Sequence, residues 1–295
     1  LSDKYGLPYQ GSKTKIIDQI AKLFPSADHF YDLFGGGFSA SHYMLRHRSR
    51  SYKQFHYNEL RPGLCELIKD AIAGKYNYKI FKPEWITRER FMADKEKDVY
   101  IKIIWSFGND GASYLFGKEI EQPKRSMHMA VVFDEYDDWF KTTFRINKFP
   151  DGLGIKARRL YLRKLIRHIG RIDIQQLQQL ERLEQLQQLE QLQQLQRLER
   201  LDLTNLDYRK VIIKPNSVIY CDIPYKGTGD YGNGFNHKDF FDWADNQVNP
   251  VFISEYKIDD PRFYLLKEIS HRTTFSNGGN SLVKERVYCN KAAKT

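Results

Sequence analysis

The chain predicts an α/β fold in which a mostly parallel sheet is interrupted by a mostly helical, basic insertion and a leucine/glutamine-rich repeat. Three observations carry this reading. Two strand–turn–helix units occupy the first 75 residues, the same alternation resumes after residue 203, and the stretch between them loses it. At 295 residues there is room for a core domain with a sizeable insertion. The boundaries expected are 1–75 and 204–295 for the two parts of the core, 76–173 for the insertion and 174–203 for the repeat.

Apolar positions 16, 17, 20, 23 and 24 make a helical stripe over Thr14–Phe24, which Pro25 ends. His29–Phe34 reads as a buried strand, Gly35-Gly36-Gly37 as a tight turn and Ser39–His47 as the next helix. A second strand, Gln54–Asn58, ends in Glu59, and Pro62 opens a helix to about Ala73. From 76 to 173 aromatic residues, basic residues and loop signals alternate, with Trp105–Gly111 the clearest loop. Arg158, Arg159, Arg163, Lys164, Arg167 and Arg171 then crowd one predicted helix.

Residues 174–203 place leucines three apart from Leu177 to Leu201. A coiled coil alternates three and four. Each three-residue step falls about 60° short of a full helical turn, so the leucines would wind round an α-helix rather than line one face. The composition favours helix while the period suits a 3₁₀ or solenoid-like turn, so its conformation stays open between them. Either a tolerated expansion or a self-association element fits. Beyond it, Leu201–Asp207 and Ser217–Tyr220 read as strands, Phe240–Val248 as a helix, Val251–Glu255 as a strand, and 264–289 as two strands around the Asn277–Asn280 turn.

Composition narrows the function classes. No apolar run approaches the roughly 20 residues of a membrane span, and Leu1-Ser2-Asp3-Lys4 lacks the basic-then-apolar pattern of a secretion signal, so a cytoplasmic protein is expected. Cys65, Cys221 and Cys289 show neither a disulfide framework nor zinc spacing, the eight histidines show no metal motif, and Cys221 is expected to be a buried packing residue. A net charge of +10 favours a polyanionic partner.

Chemistry concentrates in two places. After the first strand, Asp32 and Gly35-Gly36-Gly37 suit close backbone approach to a ligand, without the Gly-Lys-Thr/Ser ending of a phosphate loop. Glu59 stands where an acidic residue could bind ribose hydroxyls. After the later strand comes Asp222-Ile223-Pro224-Tyr225. A carboxylate beside a main-chain carbonyl can accept both hydrogens of an exocyclic amine, and a tyrosine ring can stack on the base, which suggests work on a flipped nucleobase.

Together Pro8–Lys13, Asp32–Gly37, Asn58-Glu59 and Asp222–Thr228, in this order, resemble the Dam-type N6-adenine DNA methyltransferases, especially phage and prophage versions. The resemblance covers most of the chain apart from the repeat. It implies a Rossmann-like sheet that binds S-adenosylmethionine, a target-recognition insertion, double-stranded DNA as partner, and no metal. Carried over by position, Tyr9, Gly11 and Lys13 would border the cofactor and base pocket, with Asp32, Phe34 and Gly36 at the methionine end, Glu59 at the ribose, and the strand before Asp207 at the cofactor adenine. Asp222, together with the carbonyl of Ile223 or Pro224, would accept from the target amine beside the cofactor, and Tyr225 would stack. Asn109, Arg158, Arg159 and Arg163 would contact DNA. Two departures stand out: Ile223 replaces the family's usual proline, reducing rigidity, and Phe38 replaces the last loop glycine, where Gly37 is expected to relieve crowding. Methylation of cytosine N4 or of RNA adenine, a catalytically silent DNA-binding or assembly protein, and a restriction endonuclease partner all stay open.

Overall fold

The computed structural model describes residues 4–169, 188–195, 198–226, 234–274 and 280–294. Most of the leucine repeat, and the Asn277–Gly279 turn, lie outside the described residues. The chain divides into two compact units: Leu1–Leu7, Gly11–Cys65 and Leu195–Thr295 form the first, and Pro8–Gln10 with Glu66–Gln194 the second.

The first unit is built on a seven-stranded sheet. In chain order its strands are β1 (His29–Asp32), β2 (Gln54–Asn58), β3 (Leu201–Thr204), β4 (Ser217–Asp222), β5 (Val251–Glu255), β6 (Tyr264–Thr274) and β7 (Asn280–Cys289). Across the sheet they run β3-β2-β1-β4-β5-β7-β6. The first five are parallel, and β7 runs antiparallel between β5 and β6. This mixed, mostly parallel sheet is the α/β architecture expected from the sequence. The expected strands 54–58 and 251–255 coincide with those observed, as does the helix 39–47.

Strands β4 and β5 are continuous apolar runs because both faces are covered. Successive side chains alternate between two layers. On one face Phe30, Tyr220 and Phe252 surround Phe24. On the other, Tyr31, Ile219, Cys221 and Ile253 pack with Phe240 and Ala244. Those last two belong to the final helix, α9 (His237–Asp245), while the earlier helices of this unit are α1 (Ile17–Ala21) and α2 (Ser39–His47). The expected helix over 14–24 is split, a 3₁₀ turn at Lys13–Lys15 preceding α1. All three cysteines are free and buried, as packing residues are.

The unit boundary falls within the first turn of α3 (Leu64–Ile72). The second unit continues through α4 (Arg88–Asp94), α5 (Val99–Ile104), α6 (Lys118–Phe133), α7 (Asp138–Phe144) and α8 (Ile155–Ile169). Thr87, Asp98 and Asp137 cap α4, α5 and α7 through side-chain oxygens. Phe91, Ile101, Trp105, Tyr114 and Phe116 supply one core cluster. Of the repeat, Leu189 and Leu192 are buried here, and 192–194 and 198–200 form single 3₁₀ turns.

Among the described residues no helix is long and apolar enough to cross a membrane. Across β1, β2 and β3, His29 Nδ1 and His56 Nε2 lie 3.0 Å apart and His56 Nδ1 is 2.9 Å from Asp202. Burial holds the His56 imidazole down to about 4, although Asp202 pulls the other way. The unfolded chain therefore binds this proton more readily, and stability present above pH 6.5 should be lost as pH falls towards about 4. Urea midpoints measured across this range should fall steeply for the native chain and less steeply for His56→Gln; equal slopes would contradict it.

Candidate active site

Strand order reverses between β1 and β4, so their carboxyl ends open a crevice, the place where open α/β sheets bind ligands. Asp32 closes β1 and Asp222 closes β4. Asp32 is buried, and its Oδ2 accepts from the Ser41 amide (3.1 Å) and hydroxyl (2.7 Å). Its Oδ1 is buried with no partner. Burial pushes this carboxyl up to about 7; the Ser41 bonds oppose that, and the nearby Asp222 and Glu59 charges add to it.

The loop after β1 is held by close backbone approach. Gly36 N–H donates to Glu59 Oε2 (2.8 Å), and the Arg61 amide donates to Glu59 Oε1 (2.9 Å). Tyr57 packs on Gly35 so tightly that an added Cβ would lie 2.2 Å from its ring. Phe38 takes the left-handed conformation, with φ of 70°, fully buried at the N-cap of α2. Such a conformation costs a non-glycine residue about 1–3 kcal/mol, sustained here by the burial of its ring.

Around Asp222 a charged cluster gathers distant parts of the chain. Lys13 Nζ lies 2.9 Å from Asp222 Oδ1 and 3.4 Å from Glu285 Oε1. It also donates to the Tyr225 hydroxyl at 2.6 Å. That hydroxyl has one proton to give and lies against both carboxylates, Glu285 the nearer and Asp222 Oδ1 at 3.2 Å. Burial disfavours the Lys13 charge, but the two carboxylates more than offset it and hold the ammonium above its usual range. Asp222 moves to about 6, driven by burial and by Glu285 and opposed by Lys13. Its Oδ2 takes no hydrogen bond from any described residue.

The rest of the tetrapeptide is anchored from three sides. Ile223 continues the two-residue alternation of Ile219 and Cys221 and sits in the same core cluster, 2% exposed. His237 Nε2 donates to the Pro224 carbonyl at 2.9 Å, and the buried Glu255 accepts from the Lys226 amide at 3.2 Å. Thus Pro224 offers an occupied carbonyl, while that of Ile223 takes no partner among the described residues. The expected loss of rigidity at Ile223 is met by core packing and the His237 anchor.

Other predicted site residues are placed as follows. Phe34 packs edge-on to Phe235 and Phe240 and tilted against Tyr208. Gly11 has φ of 79° with open space where a side chain would be. Asp207 caps the turn Tyr208–Lys210, and the Arg209 guanidinium holds its carboxyl down to about 2. Tyr9, Asn109, Arg158, Arg159 and Arg163 belong to the second unit. There Asn109 donates to the Ile103 carbonyl at 2.8 Å, Arg158 pairs with Asp134 at 2.7 Å, and Arg159 is buried. Lys156, Lys164 and Arg167 are exposed on this helix, Lys156 pairing with Glu190 at 2.6 Å.

Glu285, His237 and Glu255 were not singled out in the sequence. Each left a signal: Glu285 shares the inward face of β7 with Val287, and Glu255 ends a parallel strand as Asp32 and Asp222 do. A surface cleft of about 700 Å³, lined by Asp28, Arg50, Lys53 and Arg200, opens at the other end of the strands, away from these groups. A smaller one, about 400 Å³, lies beside Lys226, His237 and Glu255. Among the described residues no group of three or more His, Cys, Asp or Glu side chains could hold a metal.

Gly35→Ala should destabilise the protein by about 1–3 kcal/mol through overpacking against Tyr57 and weaken ligand binding at the loop, read by thermal melting and titration. A variant with native stability would contradict the packing argument.

No curated protein matches the chain. Residues 9–147, which include the glycine loop and Glu59, match the family model of the D12 class N6 adenine-specific DNA methyltransferases. Over residues 9–147 the chain thus carries the domain of that family, whose members methylate DNA adenine at N6 with S-adenosylmethionine as donor.

Proposed function

We propose that the crevice between β1 and β4 receives an adenine flipped from duplex DNA, and that Asp222 Oδ2 and the Ile223 carbonyl accept its two amino hydrogens. The observation that carries this is the pair of unengaged acceptors at one strand end, beside a tyrosine ring. The adenine amine is a poor nucleophile because its lone pair is delocalised into the ring. Two acceptors draw the nitrogen towards tetrahedral geometry, so positioning and electrostatics supply most of the catalysis.

The residues present fit S-adenosylmethionine. The orphaned Asp32 Oδ1 suits its cationic end, the glycine loop admits close approach, and Glu59, held by two amides, retains lone pairs for ribose hydroxyls. When bound, the cofactor supplies an electrophilic methyl group. Asp222 takes up the proton that the amine loses as it gains the methyl, its carboxyl being raised by burial. Tyr225 stacks on the base, with its hydroxyl fixed by Lys13. Target recognition is assigned to the helical unit between Glu66 and Gln194, where Lys164 and Arg167 offer exposed positive charge near Arg163.

Asp222→Asn should lower methyl transfer to duplex DNA by about 10²-fold or more while leaving the melting temperature near native. The native rate should decline on the acid side as pH falls through about 6. Transfer of radiolabelled methyl checks both, and an active Asp222→Asn variant would overturn the assignment.

A further inference from the structure

Glu285 lies on β7, far in sequence from every motif used above, yet it is a charged side chain only 2% exposed. A buried carboxylate of this kind costs stability unless it is paired. Its partners are Lys13 and the Tyr225 hydroxyl, the same two groups that hold Asp222 Oδ1. Lys13 and Tyr225 are thus stretched between two carboxylates. Asp222 is turned so that Oδ1 faces inward to them and Oδ2 is left over.

We propose that Glu285 is a positioning residue for methyl transfer, acting through Lys13 and Tyr225 to fix the Asp222 carboxylate with Oδ2 presented to the amine. This rests on the role given to Asp222 above. Without the second carboxylate, Lys13 would be drawn to Asp222 alone, and the Tyr225 hydroxyl would lose the partner that sets its ring. The charged and titratable groups around Glu285 are Lys13 from the N-terminal 3₁₀ turn, Tyr220 and Asp222 from β4, Tyr225 beyond it, Glu255 from β5 and His271 from β6, whose Nε2 is 4.0 Å away. Because the Glu285 charge raises the Asp222 carboxyl, removing it also makes Asp222 easier to ionise.

Glu285→Gln keeps size and hydrogen-bonding capacity but not charge. It should lower kcat about tenfold, leave KM for S-adenosylmethionine within about twofold, and move the acid limb of the pH–rate profile to lower pH. Loss of the neighbouring charge alone would move that limb without lowering kcat on the plateau, so the fall in plateau kcat with KM held is the mark of positioning. Glu285→Asp keeps the charge but shortens the reach, so it should lose kcat with the acid limb unmoved; it carries the test if the glutamine variant does not fold. Native plateau kcat in a folded Glu285→Gln, with or without a moved acid limb, or native kcat in Glu285→Asp, overturns the inference. Asp222→Asn run in parallel separates the two claims: its inactivity beside a native-like Glu285 variant rejects only the role of Glu285, whereas its full activity rejects the underlying reading.

Discussion

One buried ammonium shared by two carboxylates organises the catalytic end of the sheet. Lys13, Asp222 and Glu285 come from the N-terminal 3₁₀ turn, β4 and β7, and none of them could stay charged there alone. The cluster joins the two ends of the chain to the central strand. It also leaves one negative charge in excess beside Asp32; burial is the main force raising the Asp32 and Asp222 carboxyls, and the neighbouring carboxylates add to it. A crevice with surplus buried negative charge is suited to a cationic methyl donor, whose arrival relieves the imbalance.

The sheet determines where that cluster can sit. Parallel strands aligned β2-β1-β4-β5 bring Glu59, Asp32, Asp222 and Glu255 to one edge, each at or just after a strand end. Each carboxylate there has a different task because its partners differ. Glu59 is tied to two amides, Asp32 keeps a buried lone oxygen, Asp222 keeps an outward oxygen, and Glu255 braces the residue after Tyr225. The isoleucine in the tetrapeptide belongs to the same design. Its side chain is part of the core, and the carbonyl that follows is held by His237, so rigidity comes from packing and a hydrogen bond rather than from a second ring.

Strand–helix alternation, the Asp32 loop and the Asp-Ile-Pro-Tyr run were legible because local pattern specifies them. Central strands were the easiest to find, since burial on both faces makes them continuously apolar. What escaped depends on tertiary partners. The left-handed conformation of Phe38 needs the surrounding core, and nothing in its identity announces it. Glu285 and His237 act on residues 60 and 13 positions away through contacts that no motif encodes. Sequence offers Arg158 and Arg159 as DNA contacts and cannot show that an ion pair engages the first and burial covers the second.

The central claim is that Asp222 Oδ2 and the Ile223 carbonyl are the acceptor pair. A crystal structure of the protein with a non-reactive S-adenosylmethionine analogue and duplex DNA tests it most directly. The account predicts a flipped adenine with N6 about 3 Å from both acceptors, and His237 still donating to Pro224. An amine bonded instead to the Pro224 carbonyl with His237 displaced, or an Asp222 carboxylate turned away from the base, would contradict it.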